Sequence, residues 1–208
     1  MKAPVCRSPF AAAQIDLGAN LERRAGWGVP ASYGDEAGER ALLREAVAIV
    51  DISPRAKVDL RGRIDTALAV AGDAVVARIA EDWALVLGVP GDEASLLPRL
   101  TAASGSGAMV TDATHLFGGF ALAGPGLPDL LARLTSWDPA SLEPGAAAGA
   151  PIADVRMVVV RRELELPVLE AYVATELSRY AWETVLGVVR SLGGGPAGWT
   201  AFREEGWS

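Results

Sequence analysis

The sequence predicts an α+β fold: a mostly antiparallel sheet with helices packed on it. Three observations predict it. Segments that alternate apolar and polar residues come in adjacent pairs joined by short turns. Segments with helical spacing follow those pairs. The chain has 208 residues, 50% hydrophobic and 22% charged, enough to bury a sizeable core. Hairpins paired with helices favour an antiparallel sheet over a doubly wound parallel one.

The elements follow in order. Residues 26–35, GWGVPASYGD, hold glycines, a proline and two aromatics and read as a loop. Trp27 and Tyr33 make that loop an ordered one, because leaving a large apolar side chain in water costs about 1.5–3 kcal/mol. Residues 35–49 place Ala41, Leu42, Glu45, Ala46 and Ile49 at helical spacing, with Asp35 as the N-cap. AKVDLRG at 56–62 alternates and reads as a half-buried strand. AVVARI at 74–79 and WALVLG at 83–88 form a strand pair across Glu81-Asp82. Residues 92–103 read as a helix, and 102–108, AASGSGA, as a small, flexible loop. AMVTDAT at 108–114 and GGFALAG at 118–124 read as a second strand pair. Pro128 begins a helix through Leu134, and EPGAAAGAP at 143–151 reads as a connector. ADVRMVVVRREL at 153–164 and LPVLEAYV at 166–173 are strands. An amphipathic helix over 175–191 ends at Gly193-Gly194-Gly195, a C-cap rather than a phosphate loop.

Charge and composition exclude several classes. Net charge is −7 with a pI of about 4.8, and the arginines cluster only as the pairs Arg23-Arg24 and Arg161-Arg162. A sequence-blind nucleic-acid binder needs a basic face, which is lacking. One cysteine, Cys6, and one histidine, His115, leave no internal disulfide, multi-thiolate or paired-histidine metal site to expect. No apolar run approaches the ~20 residues of a membrane span, and the N-terminus has no apolar signal core, so a soluble, cytoplasmic protein is expected.

Few residues suggest chemistry. His115 follows Asp112 and Thr114 in a turn, with no nucleophile elbow in the sequence, and reads as a turn or capping residue. Cys6 falls in a segment expected to be mobile. Two carboxylates stand out. Alternation places Val168, Glu170 and Tyr172 on one strand face. A solvated Glu170 and a covered one are equally open; if covered, its carboxylate must be paired or accept hydrogen bonds. A ring with adjacent N–H donors is one such partner. Asp73 follows Gly72 just before a strand, where an ordinary turn aspartate is the simpler reading.

Several stretches in order resemble the glycine cleavage T-protein (aminomethyltransferase) superfamily, which includes folate-dependent demethylases and the gamma subunit of heterotetrameric sarcosine oxidase. GWGVPASYGDEAGERALLREAVAIVDIS resembles the family's opening pattern, and AKVDLRGRIDTAL its next strand, glycine and helix start. EDWALVL looks like the strand after that, and TDATHLFGGFALAGPGLPDLLARL like the segment ending in Gly-Pro and a short helix. VLEAYV through Trp182 to GPAGWTAFREEGW resembles the end of the folate domain. SPFA, the small size and the EDW strand lean toward the sarcosine oxidase gamma branch.

The resemblance implies a tetrahydrofolate-binding α+β scaffold over residues 1–208 as one domain, with sub-units at 1–142 and 152–208. It implies that Glu170 recognises the pterin, that Arg203 lies at the folate site, and that Asp73 is the catalytic aspartate. The sequence departs from the family in three ways. Gly72-Asp73 stands where the family keeps an acidic pair. A stretch preceding that pair is absent, and the C-terminal barrel domain has no counterpart among the 208 residues. Two functions follow: a folate-dependent one-carbon transferase, or a non-catalytic gamma-type subunit docking on a larger oxidase or transferase without folate. A standalone folate sensor or scaffold dimer is a third, and a homo-oligomer remains open.

Overall fold

The computed structural model describes residues 5–162 and 164–204. The chain begins with β1 (Cys6–Arg7), α1 (Ala11–Asp16), β2 (Asn20–Arg24) and β3 (Trp27–Ser32). These strands form a small sheet ordered β1-β3-β2, in which β1 runs parallel to β3. Next come α2 (Glu36–Glu45), β4 (Ala48–Asp51), β5 (Lys57–Gly62), α3 (Asp65–Leu68), β6 (Val75–Ala80), β7 (Trp83–Leu87), α4 (Glu93–Ser104) and β8 (Ala108–Asp112). The remainder is β9 (Phe117–Ala123), α5 (Leu127–Leu134), β10 (Ala147–Ile152), β11 (Val155–Arg162), β12 (Val168–Ala174), α6 (Ser178–Ser191), β13 (Gly195–Pro196) and α7 (Trp199–Glu204). A six-stranded sheet is ordered β10-β11-β12-β9-β4-β13, and a four-stranded one β6-β7-β5-β8. Every pair in the two larger sheets is antiparallel except β13 with β4. The α+β class with an antiparallel sheet is therefore correct.

The layers follow from which side chains are apolar. One face of the six-stranded sheet presents Ile49, Leu122, Val159, Leu169 and Val173 to Leu127, Leu130, Leu131 and Leu134 of α5 and to Trp182, Val185 and Val189 of α6. Phe10 joins them, stacked on Trp182 at 4.8 Å and edge-on to Phe120 at 6.1 Å. The opposite face presents Val50, Ala121, Val158, Val160, Val168 and Tyr172 to Ala77, Leu85 and Leu87 of the four-stranded sheet. The outer face of that second sheet, with Val58, Leu60 and Val86, is covered by Ala67 of α3 and by Leu96 and Leu100 of α4. The order is helices, sheet, sheet, helices. Both faces of the six-stranded sheet are covered at its centre, so β4, β9 and β12 are buried almost throughout rather than on alternate residues.

Five expectations are corrected. Residues 27–32 form a strand, not a loop: Pro30 sits in the small sheet while Trp27 and Val29 bury. The helix expected over 35–49 ends at Glu45, because β-branched Ile49 and Val50 lie where the chain pairs with β9. Asp35 does cap it, accepting from the Gly38 amide at 3.0 Å. Segments 108–112 and 117–123 are strands but not partners: β8 pairs with β5 in one sheet, and β9 with β4 and β12 in the other. The connector at 143–151 is largely β10, paired along its whole length with β11. The N-terminal segment holding Cys6 is strand-paired and anchored by Phe10, which is 1% exposed. At the C-terminal end of α6, Gly193 takes a φ of 76°, as a helix C-cap requires.

Phe10→Ala is expected to remove about 3–5 kcal/mol of stability, the cost of emptying an aromatic core position. Equilibrium urea unfolding checks this; a loss under 1 kcal/mol would mean that the N-terminal segment is not part of the core.

Candidate functional site

The site is built where the chain crosses from one sheet to the other. β4 ends at Asp51 in the six-stranded sheet, and β5 begins at Lys57 in the four-stranded one. Residues 51–57, DISPRAK, run between the layers and are buried throughout. Three of the seven carry ionisable groups, so each must find partners inside the protein. The Asp51 carboxylate accepts from Gln14 Nε2 at 2.7 Å and from the Ser53 amide at 2.8 Å. Burial holds its pKa above the usual carboxylate range, against these hydrogen bonds, which pull it down. The Lys57 ammonium donates to three backbone carbonyls: Ser53 at 2.7 Å, Arg55 at 2.9 Å and Thr114 at 3.1 Å. Burial pushes its pKa down to about 7, with Asp51 the first of the groups that oppose the fall.

Glu170 lies on the covered strand face, which settles the alternative left open by the alternation pattern. It is 0% exposed. Its Oε1 accepts from Arg55 Nη1 at 2.7 Å and Arg162 Nη1 at 2.6 Å; its Oε2 accepts from the Tyr172 hydroxyl at 2.6 Å. Local structure dictates this set. Tyr172 is two residues along the same strand face, and β11 returns antiparallel, bringing Arg162 beside β12 where it pairs with Val168. The crossing segment delivers Arg55, whose Nε also donates to the Gly88 carbonyl at 3.2 Å. Burial works against the Arg55 charge, but Tyr172 and Glu170 outweigh it and raise its pKa. Burial, and then the Glu170 charge, hold the Tyr172 hydroxyl protonated well above its ordinary range. The arrangement is a buried ion triad with a phenol closing the free oxygen. Chemically both carboxylate oxygens are engaged, and the cluster presents no poised base or nucleophile.

The other expected site residues lie apart from it. Asp73 is exposed in the turn before β6, after Gly72 with a φ of 65°. Arg203 is exposed on α7. Trp199 and Phe202 of that helix are buried, and the Trp199 indole donates to the Asp51 carbonyl at 2.6 Å. Asp73 and Arg203 thus face solvent, whereas Glu170 is enclosed with Arg55, Arg162 and Tyr172. His115 is exposed in the β8–β9 turn and stacks on Trp27 at 4.9 Å. Sequence reading missed Arg55 and Lys57 as interior charges. The one available signal was that their segment has apolar neighbours on both sides. Arg162 also lines an open crevice of about 650 Å³ between α5 and the β11–β12 hairpin, walled by Leu127, Leu131, Trp137 and Leu166. Among the described residues no three His, Cys, Asp or Glu side chains group to hold a metal, and no helix is long and apolar enough to cross a membrane.

This two-sheet arrangement, crossed by a buried charged segment, defines a class: the fold is that of the glycine cleavage T-protein. The aminomethyltransferase T of the glycine cleavage system from Bartonella henselae superposes with a TM-score of 0.80 at 18% identity, covering 95% of this chain and 60% of that one. A chain of heterotetrameric sarcosine oxidase from Corynebacterium sp. U-96 superposes with a TM-score of 0.66 at 19% identity, covering 91% of this chain and 97% of that one. In sequence, the chain is 28% identical over 157 residues to an aminomethyltransferase of Frankia alni, which is 62% of this chain and 43% of that protein. The chain thus spans less than half the length of this curated relative. No family model matches it. The resemblance read from the sequence thus meets a similar protein named aminomethyltransferase and two similar folds, that of the T-protein and that of a sarcosine oxidase chain.

A folate cofactor is tested against the residues at Glu170. Both carboxylate oxygens already take strong donors, two of them cationic. A pterin edge reaches this carboxylate only by displacing a guanidinium, so the site as arranged does not fit the ring.

Two substitutions test this site. Glu170→Gln leaves the buried Arg55 and half-buried Arg162 guanidiniums side by side without this countercharge and is expected to cost about 3–5 kcal/mol in urea unfolding. Lys57→Met is read through pH. Between pH 7 and about 10 the unfolded chain carries a proton that the folded chain has lost. Stability from this group therefore rises with pH across that window, by at most about 1.4 kcal/mol per unit. The stability of the wild type relative to Lys57→Met is expected to grow from pH 7 to 9; a difference that is flat or shrinking would refute the lowered pKa.

Proposed function

We propose that this chain is a non-catalytic, gamma-type subunit of the T-protein fold that docks on a larger oxidase or transferase and does not use tetrahydrofolate at Glu170. The observation that carries the reading is the Glu170 carboxylate, fully buried with both oxygens engaged by Arg55, Arg162 and Tyr172. A recognition group for an exchangeable cofactor needs acceptor capacity that the ligand alone fills. Here internal cations fill it. The placement of Asp73 supports the same reading, since an exposed turn aspartate has no enclosed site in which to position a reacting amine. So does the likeness in fold to one chain of a heterotetrameric oxidase, 97% of which is covered.

The competing reading is a tetrahydrofolate-binding, aminomethyltransferase-like protein in one-carbon transfer, with Asp73 catalytic and Glu170 and Arg203 on the cofactor. The buried position of Glu170 on a covered face favours it. Two measurements decide. Calorimetric titration of the isolated chain with tetrahydrofolate is expected to give no binding heat. Co-expression with oxidase or transferase subunits encoded beside it is expected to give one heteromeric species of fixed stoichiometry by light scattering. Folate binding by the isolated chain, abolished in Glu170→Gln, would overturn the subunit reading.

A further inference from the structure

We infer that the crevice between α5 and the β11–β12 hairpin is a binding site for a small monocarboxylic acid with an apolar body, its carboxylate held by Arg161. The inference goes beyond the subunit reading and does not depend on the Glu170 cluster.

Strand register puts Arg161 there. Arg161 pairs with Leu169 and Arg162 with Val168. Successive side chains of a strand point to opposite faces, so the two arginines part. Arg162 turns to Glu170, whereas Arg161 goes with Leu169 to the face that α5 covers. Arg161 is half-buried and lines the crevice. Its Nη1 donates to the Leu142 carbonyl at 2.7 Å. Among the described residues that is the one acceptor its guanidinium meets, and it forms no ion pair. A guanidinium carries its N–H donors in a fixed fork that matches a carboxylate. A partly desolvated charge with donors to spare is what an organic anion would complete.

The other walls define the rest of the ligand. The crevice holds about 650 Å³, within the range of small-molecule sites. Leu131, Trp137 and Leu166 make it apolar, and the last two are only half-buried, so an apolar body seated there would cover surface now in water. Asp138 and Glu165 also line it, both exposed. These two carboxylates set the ligand's charge. One guanidinium balances one negative charge, and two acids close by repel a second. That favours a monocarboxylate over a phosphate ester, which carries nearly two charges at neutral pH.

The test is calorimetric titration of the full chain with 4-phenylbutyrate and with its uncharged counterpart, 4-phenylbutanamide. The wild type is expected to bind the acid saturably, about tenfold or more tighter than the amide. Arg161→Met keeps the apolar stem and is expected to lose that preference without changing affinity for the amide. Ala132→Trp, at an exposed position of α5 on the crevice, is expected to fill the space and abolish binding of the acid. No saturable binding of the acid to the wild type, a preference for the acid that survives in folded Arg161→Met, or acid binding that survives in Ala132→Trp would each overturn the inference. If Arg161→Met does not fold, Arg161→Gln is held to the same expectation; if neither folds, loss of acid binding in Ala132→Trp supports the site and its persistence overturns it. Tetrahydrofolate binding of the kind that overturns the subunit reading leaves this inference to the acid titration, so the two fail separately.

Discussion

Charge carried through a dry layer is the constraint on which the rest of this molecule depends. The chain has to pass from the six-stranded sheet to the four-stranded one, and it does so by threading Asp51 to Lys57 between them. An aspartate, an arginine and a lysine enter the interior in one short stretch. Each isolated charge there would cost several kcal/mol. The surrounding structure is arranged to prevent that. Gln14 and Ser53 turn donors to Asp51, three carbonyls converge on Lys57, and Glu170 meets Arg55. The two sheets can slide relative to one another only by breaking several of these contacts at once. Such a network contributes little net stability over an apolar core, but it strongly penalises any other register.

The same layer explains a pair of glycines. Gly118 and Gly119 on β9 face opposite ways, and each lets a large group come close. A Cβ on Gly119 would lie 2.9 Å from the Tyr172 ring. A Cβ on Gly118 would collide with the Ser178 hydroxyl and lie 2.9 Å from Pro9 and 3.0 Å from Phe10. Tyr172 can therefore lie flat enough to aim its hydroxyl at Glu170, while the aromatic stack of Phe10 and Trp182 closes on the reverse side.

Much of this fold was legible in the sequence. The hairpin of β6 and β7, the helices at 93–104 and 178–191, and the β11–β12 pair follow from periodicity and turn residues. What was not legible depends on long-range contact. GWGVPASYGD has turn composition, and only the pairing of Trp27 and Gly28 with β1 and β2 makes it a strand. AMVTDAT and GGFALAG sit one turn apart and read as a hairpin, yet the chain between them changes sheets. The alternation in LPVLEAYV put Glu170 on the right face but could not say what covers it. Arg55 is an ordinary arginine until the crossing brings it to Glu170, and Lys57 sits in an alternating strand that predicts a solvated position.

Glu39 ties distant parts of the chain together in another way. From α2 its carboxylate accepts from the Tyr33 amide at 2.6 Å and the Gly198 amide at 2.7 Å, and it is 4% exposed. Gly198 itself fits so closely against Ala31 that any Cβ there would collide with the backbone. Beside it, β13 completes the edge of the six-stranded sheet next to β4. One edge of β4 therefore waits for residues about 150 positions further along the sequence. Until residues 195–198 are made and in place, a strand whose four residues are all buried in the finished fold has an unpaired edge, so the nascent chain gains from shielding over that stretch of synthesis.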